Sequence, residues 1–230
     1  MKQLLIIFFA FLLTCNNSND KLIMTKVGEE LGVSGTIGFY RSETEYSEFH
    51  NYKKYFTWQL DCPRLFEVFD STSIRKAFAY RTYIKLSELD KKEYEAIKVE
   101  FKNDINSELD TASFFKMSYL EKIYKSEMIV REYMKALKDE NLDYIEKAFD
   151  KTKFGYAVLE VDSINNTFLE FANGKFEESR LMNWAIIEDA GSKYKLLVFL
   201  TNSENNYGSK FQFALHDSLK TEKNIVKISY

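Results

Sequence analysis

Two histidines and two cysteines are the side chains best suited to proton transfer, nucleophilic attack or metal ligation in this chain, and their spacing limits each reading. His216 precedes Asp217 and Ser218, an order that invites an acid, base and nucleophile. Members of such a triad meet through the fold rather than along the chain, so the adjacency argues for a strand end feeding a turn. His50 lies far away, and no His and Cys spacing fits zinc. Cys62, just before Pro63, reads as a small buried apolar residue. The run Asp139-Glu140-Asn141-Leu142-Asp143 lacks the glycine and the closing glutamate of a calcium loop. Gly28, Gly32, Gly35 and Gly38 are followed by an alternating, strand-like stretch rather than by a helix, which argues against a phosphate loop. Spacing alone therefore assigns no catalytic residue, no metal and no cofactor. Asn165-Asn166-Thr167 matches a glycosylation acceptor but reads as a turn.

Cys15 stands apart because of what precedes it. Lys2 supplies a positive start, Leu4 to Leu13 is an unbroken apolar run, and Thr14 is a small residue before the cysteine. This is the layout of a secretory signal. The run is too short to span a bilayer, which needs about 20 apolar residues. Leu12-Leu13-Thr14-Cys15 resembles the lipobox of bacterial lipoproteins, with Thr14 where that motif usually carries Gly, Ala or Ser. The resemblance implies diacylation of the Cys15 sulfur, cleavage before Cys15 so that residues 1–14 are a signal peptide, and a palmitate-type lipid anchor in the cell envelope. Asn16 in place of Asp implies the outer membrane or cell surface. Asn16 to Lys21 is polar, and residues 15–26 read as a tether.

The chain has 230 residues, enough after removal of the signal for one large or two small domains. Apolar residues at 45% and charged residues at 29% are globular values, which indicate neither disorder nor a multi-span protein. The net charge is −3, becoming −4 once Lys2 is removed with the signal, and no basic stripe tracks a phosphate backbone. Nucleic acid is thereby disfavoured as a partner. Aromatics reach 16%, a level explained by a bias toward Phe and Tyr codons more simply than by a ligand platform.

The elements divide the chain into residues 27–117, a strand and helix region, and residues 118–230, a helix pair followed by a sheet. In the first, residues 22–60 read as an irregular lead becoming strand-like, and Arg64 to Phe69 as a short helix behind Pro63. Ser87 caps a helix running through Lys98 and beyond, with Tyr94, Ile97, Phe101 and Ile105 on one face. In the second, Ser118-Tyr119-Leu120-Glu121 reads as a capping box. Leu120, Ile123, Tyr124, Val130, Tyr133, Met134 and Leu137 then form an apolar stripe, with Ser126 as a candidate interruption. A short helix opens at Asn141 with Leu142, Ile145, Ala148 and Phe149 inward. Beyond Phe154 the period becomes 2, giving strands at 156–161, 167–171, 181–188, 194–201, 210–215 and 224–230, with turns at Asn173-Gly174 and Gly191.

The expected class is α+β, a helical segment packed against a C-terminal antiparallel meander. Met128 to Ile145 with the strands behind it resembles the opening of a cystatin-like cone, the fold of nuclear transport factor and ketosteroid isomerase. That fold hosts enzymes, ligand cups and assembly modules alike. An enzyme of this type implies an acidic or phenolic group inside the cup, for which Tyr156, Glu160, Asp162 and Glu188 are the candidates. The leading expectation is a non-enzymatic lipoprotein, anchored in a membrane, that binds a protein partner or a small apolar ligand. A cone-type enzyme and an immunity or envelope-assembly protein are the alternatives.

Overall fold

A computed structural model describes residues 22–31, 38–39, 55–60, 70–101, 114–150, 179–189, 191–200 and 210–229. The chain is mixed α+β and divides into two compact units, Met1–Leu120 and Glu121–Tyr230.

In the first unit, residues 22–30 are helical (α1). The polar tether drawn to residue 26 is thus overtaken at Leu22, because Ile23, Met24 and Val27 give a helical apolar face that is buried. Four strands follow in the order β1-β2-β3-β4, with β1 at Gly38–Phe39, β2 at Tyr55–Leu60, β3 at Ala96–Phe101 and β4 at Phe114–Lys116. β2 and β3 run parallel, Tyr55 beside Ala96 through Leu60 beside Phe101, while the outer pairs are antiparallel. A parallel pair needs a crossover, and here it contains α2 (Ser71–Lys85) and α3 (Glu88–Glu93).

The sequence reading missed α2. Asp70 caps it, its carboxylate accepting from the Ser73 backbone amide at 2.9 Å and the Ser73 hydroxyl at 2.6 Å. These bonds to Ser73, side chain first, hold the Asp70 carboxyl below the usual carboxylate range. Ile74, Ala77, Phe78 and Tyr80 are buried on α2, and Trp58 of β2 packs edge-on to Phe78. The Trp58 indole donates to the Thr82 hydroxyl at 2.6 Å, and that hydroxyl donates to the Phe78 carbonyl at 2.8 Å.

Ser87 does cap a helix, closing a capping box with Asp90, but the helix stops at Glu93. Residues 96–101 are a strand and not a helical continuation. Ile97, Phe101 and the intervening Val99 fit a period of 2 as well as the helical spacing, and burying all three in a sheet core decides between them.

α4 (Met117–Lys138) starts one residue ahead of Ser118, which lies inside its first turn instead of capping it. Ser126 does not break α4. It is buried, its hydroxyl bonds back to the Lys122 carbonyl at 2.9 Å, and with Glu127 it fills the stripe between Ile123 and Val130.

In the second unit, α5 (Leu142–Ala148) is capped by Asn141, whose side chain accepts from the Tyr144 amide at 3.2 Å. Ile145, Ala148 and Phe149 are buried, whereas Leu142 is 68% exposed, because at the first helical position it points off the buried face. Four strands then form an antiparallel meander in sequence order, β5 (Arg180–Asp189), β6 (Ser192–Leu200), β7 (Lys210–His216) and β8 (Ile225–Ser229). Gly191 takes φ 73°, the left-handed geometry the β5 to β6 turn requires. On one face Leu197, Phe199, Phe211 and Phe213 are fully buried, and Tyr133 of α4 meets Phe213 edge-on at 6.0 Å between centroids. That contact sets the helix against the sheet. Burial also pushes the Tyr133 hydroxyl well above the ordinary phenol range. The strands expected at 156–161 and 167–171, the turn at Asn173-Gly174 and the helix expected at 64–69 lie outside the described residues.

Candidate functional site

Among the described residues of the second unit, a set of ionisable side chains collects at one end of the meander, where β6, β7 and the start of β8 meet the chain leaving α5. Backbone bonds build the frame. Phe149 bridges to Ile225, the Asp150 amide donates to the Ile225 carbonyl at 2.7 Å, and the Lys223 amide donates to the Lys147 carbonyl at 2.7 Å. The Asn224 side chain closes the preceding turn by bonding both the amide and the carbonyl of Lys220. Lys223 adopts φ 57° within it.

This frame sets Asp150 against His216. The His216 Nε2 lies 2.9 Å from the Asp150 Oδ2, with both side chains nine-tenths buried. Across the strands His216 pairs with Tyr194, whose ring lies 5.7 Å away at a 40° tilt. The carboxylate next to His216 in sequence is engaged elsewhere. Lys195 sits on the opposite strand face with Leu197 and Phe199 and is 1% exposed. Its ammonium donates to the Asp217 backbone carbonyl and lies 3.4 Å from the Asp217 carboxylate. Burial pulls the Lys195 ammonium below the ordinary lysine range, a shift that Asp217 opposes.

A carboxylate held on one ring nitrogen fixes the orientation of an imidazole and is the supporting half of a general-base relay. Its partner half would be a hydroxyl or thiol on the other nitrogen. Among the described residues no Ser, Thr or Cys side chain bonds His216, so the pair as built is a tie between α5 and the end of β7. Two further side-chain bonds also tie elements together, one part-buried at Glu127 and one at the surface at Glu132. Glu127 accepts from Arg131, which also donates to the Ser179 carbonyl at 3.2 Å and so joins α4 to the start of β5. Tyr144 donates to Glu132 at 2.8 Å, joining α5 to α4; burial first and that bond second raise the Tyr144 hydroxyl above the phenol range.

Of the residues singled out from sequence, His216 ends β7 and feeds a turn, and Glu188 lies exposed on β5. Cys15, His50, Cys62, Tyr156, Glu160 and Asp162 lie outside the described residues. Sequence reasoning missed Asp150, Lys195 and Glu127. Lys195 had a signal, since it shares strand parity with Leu197 and Phe199 and so occupies a core position. Asp150 had none, because nothing local marks a partner 66 positions away. Among the described residues no group of His, Cys, Asp and Glu is arranged to hold a metal, and no helix is long and apolar enough to cross a membrane.

Comparison with known proteins found no match to a family model, to a curated protein or to a solved structure. The resemblances drawn above therefore rest on the residues quoted for them.

Proposed function

We propose that the chain is an exported lipoprotein, anchored through Cys15 in a membrane of the bacterial cell envelope, whose folded body binds a protein partner or a small apolar ligand and catalyses no reaction. One observation carries the reading: Lys2, the apolar run Leu4 to Leu13 and Leu12-Leu13-Thr14-Cys15 stand in the order that export and acylation require. Two or more acyl chains are needed for lasting attachment, since each buried methylene contributes about 0.8 kcal/mol and one chain holds only marginally. Asn16 favours the outer membrane or cell surface.

The binding role draws on how the buried ionisable groups are used. Asp150, His216, Lys195, Asp217, Glu127 and Arg131 are engaged in joining elements of the second unit. Meanwhile Tyr124 and Met128, one helical turn apart on α4, are more than a third exposed. The cone-type enzyme remains the second reading, favoured by the oriented imidazole of His216 and by the order of two helices before a meander.

The test is metabolic labelling with a palmitate analogue, with membrane fractionation of the native chain and of Cys15→Ser. The native chain is expected to carry label and sediment with membranes, and the variant to do neither. Equal fractionation with no label on either overturns the anchor. Crosslinking in cells followed by mass spectrometry then identifies the partner, and native mass spectrometry of the purified chain separates a bound small molecule from a bound protein.

A further inference from the structure

Resting on that lipid anchor, we infer that the outer face of α1 lies against the bilayer surface, so that the first unit is held at the headgroups and does not trail on a long arm. Seven peptide units separate Cys15 from Leu22, and a fully extended chain of that length reaches at most about 25 Å. What the leash holds is firmly built in. Ile23, Met24 and Val27 of α1 are buried in the first unit, and Glu30 at its far end meets Arg81 at 3.1 Å and Lys85 at 3.2 Å, both on α2. A pull on Cys15 is thereby passed to α2.

The face of α1 left outside is Leu22, Thr25, Lys26 and Glu29. Leu22, nearest the anchor, is 50% exposed, an apolar side chain presented where a bilayer interface would receive it. Lys26 follows one turn later with a charge that anionic headgroups attract. Glu29, the charge they repel, sits one further turn from the anchored end, about 4.5 Å beyond Lys26 along the helix. Apolar, cationic and anionic side chains thus succeed one another with distance from the acylated cysteine. The occupant of this face is a lipid surface carrying anionic headgroups.

The experiment uses the full acylated chain, purified with its lipid and reconstituted in vesicles of phosphatidylethanolamine and phosphatidylglycerol that carry a headgroup quencher. A fluorescent amino acid replaces Lys26 in one preparation and Leu22 in another, and a second version of each carries about twenty Gly and Ser residues inserted after Ser18. Strong quenching at both positions, falling at least twofold with the insertion, is the expected result. An acylated chain with no quenching, or with quenching indifferent to the insertion, overturns this inference and leaves the anchor standing. An unmodified Cys15 by intact-mass analysis overturns the anchor and this inference together.

Discussion

Asp150 and His216, separated by 66 positions, meet at 2.9 Å in the interior of the second unit and fasten the end of α5 to the end of β7. A buried hydrogen bond involving an ionisable pair contributes about 1.5–3 kcal/mol, and deleting either member costs the other that bond. Asp150→Ala and His216→Ala are each expected to lower stability by about 2 kcal/mol in urea denaturation. The double variant should fall short of the sum by about 1 kcal/mol or more, and strict additivity would show that the pair contributes nothing as a pair.

Lys195 and Asp217 make the opposite kind of pair, one partner buried and the other partly in water. Removing the buried charge removes its desolvation penalty, so Lys195→Met is expected to change stability by less than about 1 kcal/mol. Asp217→Asn strips the ammonium of its countercharge and is expected to destabilise by about 1–3 kcal/mol. Because the folded-state value of Lys195 lies below the ordinary 10.5, the unfolded chain binds more protons in the window beneath that value. Stability therefore rises with pH there, and the loss in Asp217→Asn should shrink as pH approaches it. Denaturation of both variants at neutral and alkaline pH checks the order and the sign.

In the first unit the Thr82 hydroxyl accepts from the Trp58 indole and donates to the backbone of its own helix. Thr82→Val keeps the shape and leaves a buried indole N–H without a partner, a loss of about 1–3 kcal/mol. Tryptophan fluorescence followed through chemical denaturation in a Trp184→Phe background, where Trp58 is the remaining emitter, reads it, and an unchanged midpoint would mean that the indole had found another acceptor.

Asp70 at the start of α2 has a carboxyl lowered by its bonds to Ser73, so its contribution is present above the unfolded-state value near 3.8 and is lost as pH falls through the folded one. Asp70→Ala is expected to cost about 1 kcal/mol at neutral pH. The difference between the two proteins should vanish in acid, and a gap that persists at pH 2 would point to packing instead of the cap.

The four described strands of the meander were legible because their signals are local. Alternation marks β5 to β8 and Gly191 marks the first turn, so observed strand ends fall within two residues of those read from sequence. Asn141 announced α5 for the same reason. α2 was hidden by its charges: Arg75 and Arg81 occupy buried positions, so the apolar period is interrupted where the helix meets its neighbours. Ile97 and Phe101 fit two periods at once, and only the tertiary pairing of β3 with β2 and β4 selects one. At the candidate site His216 could be placed at a strand end, but its partner could not, since a contact between distant segments leaves no periodic trace.

The two sheets differ in how soon each can form. Among the described residues each ladder of the second sheet joins neighbours in sequence, so it can zip from one hairpin to the next. In the first, Tyr55 must find Ala96 across the whole α2 and α3 crossover before any parallel bond forms, and closing that loop comes before any reward. The half synthesised first is thus the slower to complete its sheet. On the export reading proposed above, that delay would leave aromatic strands uncovered longest on the far side of the membrane, where an escort for the nascent chain would have the most to hold.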